Sequence, residues 1–170
     1  MYVVACFFKT NNAMTPNEKR QHVIQACIEH QRHIALVAQQ EMDSAQQQSN
    51  DYGANVDRYD SYRTKMMRSR DMYARQLATA NASLRALHEL QRMPCPSSAQ
   101  HGAVVVTDKQ IFFLSIGAGK FVVRDSTSPT GTVYAFAISA QTPVYMAMKG
   151  KQVGDTFVVN GIEHTIVDIY

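Results

Sequence analysis

The stretch Pro94-Cys95-Pro96-Ser97-Ser98 separates two parts of the chain that differ in composition. Between Asn17 and Arg92 the sequence contains one glycine, Gly53, and no proline, and it is rich in Gln, Ala, Arg, Met and Leu, which are mostly good helix formers. After the stretch come β-branched and aromatic runs separated by Gly, Thr, Ser and Pro, as in strands joined by turns. The stretch therefore marks a domain boundary, with helices before it and a sheet after it.

The helical part is predicted to form two helices joined by a turn. Thr15 is placed to cap the first helix, with Pro16 at its first position and Glu18 completing a capping box. Turn-forming residues interrupt the helical pattern at positions 49–55, and a second helix follows them.

Each predicted helix carries a stripe of mainly apolar residues at alternating steps of four and three. The stripe positions are Ile24, Ile28, Gln31, Ala35, Ala38, Met42, Ala45 and Ser49 in the first helix and Tyr59, Arg63, Met66, Arg70, Tyr73, Leu77, Ala80, Leu84 and Leu87 in the second. This heptad-like spacing predicts that the helices pack as an antiparallel coiled-coil hairpin. Roughly 33 residues at about 1.5 Å each give an arm on the order of 50 Å long. The alternative, in which both helices fold back on the β part, stays open.

The second part of the chain is predicted to be a twisted antiparallel sheet with one short helix, so the fold class is α+β. The expected strands are Ala103–Thr107, Gln110–Ser115, Lys120–Val123, Thr132–Ile138, Thr156–Val159 and His164–Ile169. Asn160-Gly161 predicts a hairpin turn before the last strand, and Pro143–Lys149 predicts the helix. The expected organisation is an extension over 1–14, a helical hairpin over 15–93 with its tip at about 50–58, a linker over 94–101 and a β domain over 102–170.

Composition excludes several classes of protein. The formal charge of +3 is too small to indicate nucleic-acid binding by itself. The three cysteines, Cys6, Cys27 and Cys95, form no CxxC pair, so neither a disulfide framework nor a zinc site is expected. The apolar run over residues 1–8 is far shorter than the about 20 residues of a membrane span. We interpret residues 1–13 as a disordered extension or the product of an upstream start codon.

Two carboxylates near the predicted turn are the strongest candidate site. Asp57 and Asp60 are three residues apart, so on a helix they would face the same way. Paired carboxylates at an exposed position can supply oxygen ligands to a divalent cation. The alternative is structural, because acidic residues in a first helical turn also stabilise the helix dipole.

The second helix is also basic, with eight Lys and Arg against four Asp and Glu over residues 57–92. Such a face could contact phosphates, although a solvated helix face gives the same pattern. The histidines are scattered, and neither a Ser/His/Asp or Cys/His set nor a Gly-rich phosphate loop is present in the sequence. An isomerase or acyl-transfer enzyme is thus the weakest hypothesis, and we expect a protein that is not itself an enzyme.

The C-terminal sequence resembles a known family. The run Lys149-Gly150-Lys151-Gln152-Val153-Gly154-Asp155, preceded by Ile138–Pro143 and followed by Val159-Asn160-Gly161 and Ile166–Ile169, is similar to the C-terminal domain of the bacterial Gre transcription elongation factors, GreA and GreB. That family has an I-S-P-x-[ST]-P run, a short helix and a G-K-x-V-G-D motif. The resemblance implies an FKBP-like β domain after a coiled-coil hairpin.

The resemblance also implies a function. In the Gre family the hairpin enters the secondary channel of RNA polymerase, and two acidic tip residues, D-x-x-E, help to hold the second catalytic Mg²⁺ while the polymerase cleaves a backtracked transcript. Asp57 and Asp60 occupy the matching spacing, and no cofactor is expected on the protein alone. The remaining implied contacts are Arg58, Tyr59, Arg63, Lys65 and Arg68 at the tip and basic face, and Pro143, Lys149, Gly150, Val153, Gly154 and Asp155 in the polymerase-binding region.

RNA polymerase and the nascent RNA and DNA of the elongation complex are the implied partners, so nucleic-acid contact (DNA binding included) would occur within that complex. A cytoplasmic monomer with no membrane association is expected. The sequence departs from the family at Asp60, where glutamate is usual, and throughout Asn55–Ser61. Ala140 replaces a proline and Tyr145 a glycine. The alternative is therefore a secondary-channel regulator without cleavage-stimulating activity.

Overall fold

The computed structural model describes residues 14–51, 61–124 and 131–170, and it has an α+β fold, as predicted. Its elements are α1 (Pro16–Asp51), α2 (Ser61–Arg92), β1 (Val104–Thr107), β2 (Ile111–Ser115), β3 (Gly119–Arg124), β4 (Thr132–Ser139), α3 (Pro143–Met148), β5 (Thr156–Val159) and β6 (Ile162–Ile169). Over the described residues, neither long helix is apolar enough to cross a membrane.

Helix α1 begins at the predicted capping box. The Thr15 N–H donates to Glu18 Oε2 (2.6 Å), and the Glu18 N–H donates back to Thr15 Oγ1 (3.3 Å). The Thr15 hydroxyl also donates to Glu18 Oε2 (2.9 Å), and the two hydrogen bonds that this carboxylate accepts, first from the backbone and then from the side chain of Thr15, lower the pKa of Glu18. The box satisfies backbone donors that have no partner inside the helix and fixes where α1 starts.

The two long helices run antiparallel. Near the start of α1, the Gln21 side-chain amide donates to the carbonyl of Gln91 at the end of α2 (2.8 Å). Near the end of α1, Gln46 Oε1 accepts from Arg70 Nη1, closer to the start of α2 (2.9 Å). The order of the partners is therefore reversed between the helices, which confirms that they pack as an antiparallel pair.

The predicted stripe is where the helices are buried. All eight α1 positions are buried or half-buried, with Met42 the half-buried one. In α2 the eight described positions are also buried or half-buried, and Tyr59 lies outside the described residues. Local spacing was enough to predict these positions because side chains three and four residues apart share one face of a helix.

The described residues form two compact units. One contains the chain up to His30 together with Ala86–Tyr170, and the other is Gln31–Arg85. In the first unit α1 buries larger side chains, and Val23, Ile24, Cys27 and Ile28 are all inaccessible to solvent. In the second unit the buried positions are mostly alanines, namely Ala35, Ala38, Ala45 and Ala80, together with Gln31 and Ser49.

The sheet is mixed, so the prediction that it is antiparallel throughout was wrong. The strand order is β3-β4-β2-β1-β6-β5. Strands β2 and β4 pair in parallel, from Ile111 opposite Ala135 to Ser115 opposite Ser139, whereas the other pairings are antiparallel. The parallel pair arises because β3 turns back to the edge of the sheet and β4 then returns beside β2. Strand β2 is buried at every position, as is typical of a central strand covered on both faces.

The last two strands form the predicted hairpin. Val159 is opposite Ile162 in the β5–β6 pair, which leaves Asn160 and Gly161 as the two turn residues. Their φ angles are 52° and 75°, as a type I′ turn requires. The short predicted helix is also confirmed as α3.

An aromatic group lies in the core between the sheet and α3. The imidazole of His164 stacks on Phe157 at 5.2 Å between ring centroids and meets the ring of Phe112 edge-on at 5.9 Å. Burial, and secondarily the charge of Lys109, lower the pKa of His164, while Asp108 raises it. The folded state therefore favours the neutral imidazole.

The most constrained polar side chain is Arg20, which is fully buried. Its Nε donates to the carbonyl of Gly102 (2.8 Å), Nη1 to that of Met93 (2.9 Å) and Nη2 to that of Leu90 (2.8 Å). Two of these acceptors lie at the C-terminal end of α2, where the helix dipole favours a cation. One guanidinium thus joins α1, the end of α2 and the start of the sheet domain.

Replacing Arg20 with methionine is expected to destabilise the protein by about 3 kcal/mol or more, because two buried hydrogen bonds from a charged donor, to the carbonyls of Gly102 and Leu90, are lost at about 1.5–3 kcal/mol each. Urea unfolding followed by circular dichroism measures the change. Arg32→Met, at an exposed position of the same helix, is the control and should lie within about 0.5 kcal/mol of wild type. Equal stability of the Arg20 variant and the control would contradict the assignment.

His164 is expected to make the free energy of unfolding decrease at acidic pH. Because the pKa of His164 is lower in the folded state than its value of about 6.5 in the unfolded state, the neutral imidazole stabilises the fold fully above about pH 6.5. This contribution to the free energy of unfolding is lost as the pH falls from about 6.5 through the lowered pKa of the folded state. His164→Phe, which keeps an aromatic ring on Phe157, should flatten the free energy of unfolding between about pH 5 and 7. His101→Gln, at an exposed position, should leave the slope of wild type unchanged.

Candidate functional site

The predicted acidic tip is only partly covered by the structure. Four predicted site residues lie outside the described residues: Asp57, Arg58, Tyr59 and Asp60. The described chain ends on one side at Asp51, the last residue of α1, and resumes at Ser61, the first residue of α2. Asp57 and Asp60 therefore belong, in sequence, to the segment that connects the end of α1 to the start of α2.

The predicted basic face of α2 is present in the described residues. Lys65 and Arg68 are exposed, whereas Arg63 occupies a half-buried stripe position. From Ser61 to Arg85 there are six Lys or Arg and one Asp, whereas residues 31–51 of α1 have one Arg and three Asp or Glu. Within the helical unit, one helix is therefore basic and the other mildly acidic.

Exposed methionines accompany the basic side chains of α2. Met67 and Met72 are 43% and 47% exposed. Met72 also lines a shallow hollow of about 340 Å³, together with Arg68, Asp71, Arg75 and Gln76. Arginine and methionine are enriched where proteins bind one another, and methionine adapts to irregular surfaces. This face suits a protein or nucleoprotein partner better than a small ligand.

Helix α3 presents a second exposed face. Thr142 caps the helix, its hydroxyl accepting from the Tyr145 N–H (3.3 Å), and Pro143 follows in the first turn. Pro143, Met146 and Lys149 are each exposed, and their spacing of three residues places them on one side of the helix. Two of these, Pro143 and Lys149, are residues for which the resemblance implies polymerase binding.

The glycine after α3 is tied to the segment that precedes the sheet. The Gly150 N–H donates to the Ala99 carbonyl (2.8 Å), and the Ala99 N–H donates to the Lys151 carbonyl (2.9 Å). Gly150 has φ of +79°, which suits glycine after a helix end. Ala99 is fully buried. The predicted linker therefore holds the start of the G-K-x-V-G-D motif in place.

The rest of the motif forms a tight turn. The Asp155 N–H donates to the Gln152 carbonyl (3.1 Å), and the Gln152 N–H donates to Asp155 Oδ2 (2.8 Å). Gly154, the third residue of the turn, has φ of +94°, and its N–H donates to the Ile166 carbonyl (2.9 Å). Val153 is left 57% exposed at the turn. The motif thus builds a rigid loop on β6 with one apolar side chain directed to solvent.

The described residues contain no cluster of three or more His, Cys, Asp or Glu that could hold a metal ion. They also contain two unpaired thiols, Cys27 and Cys95, and burial raises the pKa of Cys27 to about 12.

Sequence reasoning missed Met146, which shares the α3 face with predicted residues, and it missed Arg20. A signal for Arg20 was available, because it lies four residues before Ile24 and so continues the stripe of α1. Its charge hid this, since a buried arginine is expected only where acceptors are provided.

Comparison of the chain with family models, with curated proteins and with solved structures gives no match.

Gly154→Ala is expected to lower the free energy of unfolding by about 1–2 kcal/mol, because an L residue pays that cost in the left-handed region. An added methyl group would meet no atom within 4 Å, so the cost comes from the backbone alone. Val153→Ala, in the same turn but on an exposed side chain, should change stability by no more than about 0.5 kcal/mol. Thermal or urea unfolding of the pair measures the difference, and equal stabilities would refute the turn geometry.

Proposed function

We propose that the protein is a Gre-type transcription elongation factor. It binds RNA polymerase, inserts the tip of a coiled-coil hairpin into the secondary channel and promotes Mg²⁺-dependent cleavage of backtracked transcripts. The observation that carries the proposal is the occurrence, in one chain, of an antiparallel helix pair and a separate rigid G-K-x-V-G-D loop. In this proposal the sheet domain is FKBP-like and the protein acts in the cytoplasm.

The helix pair supports the first half of the proposal. Because α1 and α2 are antiparallel, Asp57 and Asp60 fall in the connection between adjacent helix ends. The alanine-rich stripe of Gln31–Arg85 keeps this helical unit slender, as insertion into a channel requires. The excess of cations on α2 would attract the phosphates of nucleic acid inside an elongation complex.

The α3 face and the motif turn support binding to the polymerase. Met146 is 65% exposed and Val153 57% exposed, and Lys149, which lies between them in sequence, is an exposed cation. A few apolar groups with a cation at the margin are typical of a protein-binding patch. Gly150 and Gly154 would act through the backbone by shaping the loop, and Asp155 by accepting the Gln152 N–H.

The proposed mechanism assigns hydrolysis to the polymerase. A Mg²⁺ ion in the polymerase active site would activate water and stabilise the leaving oxygen. The Asp57 and Asp60 carboxylates would supply oxygen ligands to that ion from the side of the channel. Lys65 and Arg68 would neutralise phosphates of the extruded RNA, which keeps the transcript 3′ end near the metal.

A second candidate follows from one residue. Asp60 stands where the Gre family usually has glutamate, so its carboxylate reaches one methylene less far. A factor with this shortened reach would occupy the secondary channel, compete with cleavage factors and leave the cleavage rate unchanged.

The experiment is transcript cleavage in a purified, backtracked elongation complex. Wild-type protein is expected to accelerate cleavage, and Asp57→Asn with Asp60→Asn to reduce the stimulated rate by at least about 10- to 100-fold, since even the loss of a partner that only orients a metal ligand costs this much. Glu41→Gln with Asp43→Asn removes the same charge from exposed positions of α1 outside the predicted tip and should keep wild-type activity.

Polymerase binding is measured beside cleavage for every variant. Equal binding with lost cleavage supports the tip assignment. Tight binding of wild type without stimulation at any Mg²⁺ concentration supports the second candidate. An absence of binding by wild type would refute both.

A further inference from the structure

Strand β3 forms one edge of the sheet in the part of the chain that the structure describes, where it pairs only with β4. An open groove of about 500 Å³ lies between this edge and the first half of α1, all within one compact unit. The groove is lined on the helix side by His22 and Glu29 and on the strand side by Lys120, Val122 and Arg124, among others.

The direction of the β3 backbone follows from one hydrogen bond. His22 Nε2 lies 2.7 Å from the carbonyl oxygen of Arg124, so this carbonyl points away from β4 and toward α1. In an antiparallel ladder, alternate residues direct both backbone groups to the same side of the strand. The β3–β4 register runs without a shift from Gly119 to Arg124. The N–H and C=O groups of Val122 and Lys120 therefore also point into the groove.

The side chains of the same three residues share one face of the sheet, because strand residues alternate between faces. Lys120 and Arg124 are exposed, and Val122 between them is 47% exposed. The ammonium group of Lys120 lies 3.6 Å from the ring centroid of Tyr134, which holds it on this face. Within the described residues, no carboxylate lies within 4.0 Å of either cation. The edge therefore presents cation, apolar group and cation in order.

We propose that this edge binds an extended segment of a partner protein, which adds to the sheet as a seventh strand and carries acidic, apolar and acidic residues at alternate positions. Main-chain hydrogen bonds to Lys120 and Val122 would supply affinity, and side-chain pairing would supply specificity. Directly opposed residues of paired strands have Cβ atoms about 5 Å apart, close enough for a carboxylate to meet each cation. The order acidic, apolar, acidic is the same in both chain directions, so the partner segment could pair with β3 in either a parallel or an antiparallel orientation.

Charge complementarity favours this occupant over a nucleic acid. An RNA strand would use Lys120 and Arg124 but would leave the outward N–H groups and the exposed Val122 without matching partners. Unpaired edge groups beside an apolar side chain are what an added strand satisfies. The inference does not depend on the proposed activity, since it concerns neither the hairpin tip nor the α3 face.

The test is fluorescence anisotropy with the full chain and three labelled peptides. The first contains D-T-V-T-D, the second the same residues as D-D-V-T-T, and the third K-T-V-T-K. Wild type is expected to bind the first at least about tenfold more tightly than the others, since 1.4 kcal/mol of charge pairing gives a factor of 10. The double variant Lys120→Glu with Arg124→Glu should prefer the third peptide.

The control variant, Arg32→Glu with Arg75→Glu, makes the same change in net charge at exposed helix positions and should keep the preference of wild type. Amide hydrogen exchange supplies a second readout, because strand addition should slow exchange at Lys120 and Val122 in the presence of the first peptide. Equal binding of the first two peptides without slowed exchange would overturn the proposal, as would displacement of the peptide by an oligouridylate of equal charge. An absence of binding by wild type would also overturn it.

Discussion

The buried guanidinium of Arg20 is the contact on which the compact unit around the sheet depends. It is contributed by the second turn of α1 and is shared between the final carbonyls of α2 and the first residues of the sheet domain. A cation inside a protein is costly unless donors and acceptors match, and here the bonding nitrogens Nε, Nη1 and Nη2 each have an acceptor. The helix start and the helix end are some 70 residues apart in sequence, yet one side chain fixes both.

The surroundings of Arg20 explain the residue at position 102. Gly102 has φ of +90°, and a methyl group there would come within 3.2 Å of Leu90 Cδ2 and 3.3 Å of Arg20 Nη2. The chain must therefore pass close to the guanidinium before it enters β1. Ala99, which precedes Gly102 by a few residues, forms backbone hydrogen bonds with Gly150 and Lys151. The same short segment therefore contacts both the helices and the loop of the G-K-x-V-G-D motif.

Features set by neighbouring residues were predictable from the sequence. The Thr15–Glu18 capping box, the Asn160-Gly161 turn and the described positions of the two helical stripes depend on contacts over a few residues, and all are confirmed. The parallel pairing of β2 and β4 was not predictable in this way, because it is decided by which strand occupies the sheet edge. The prediction of a wholly antiparallel sheet followed chain order and failed at this point.

The same distinction applies to the candidate functional surfaces. The α2 cations were found from sequence, since they form a local pattern, whereas Gly154 was named only through the family resemblance and its turn was not predicted. The β3 groove could not be found, because Lys120, Val122 and Arg124 form a binding edge only once the orientation of the strand is known. His22 supplies that orientation, and it lies about 100 residues away in sequence.

The central claim is that the segment between α1 and α2 reaches the polymerase active site. A photoreactive amino acid at position 57, with a second preparation labelled at position 32, would test it in a backtracked elongation complex. Crosslinking from position 57 to the 3′-terminal part of the RNA, with none from position 32, is the predicted result. Binding to the polymerase with no crosslink from position 57 to RNA would contradict the account.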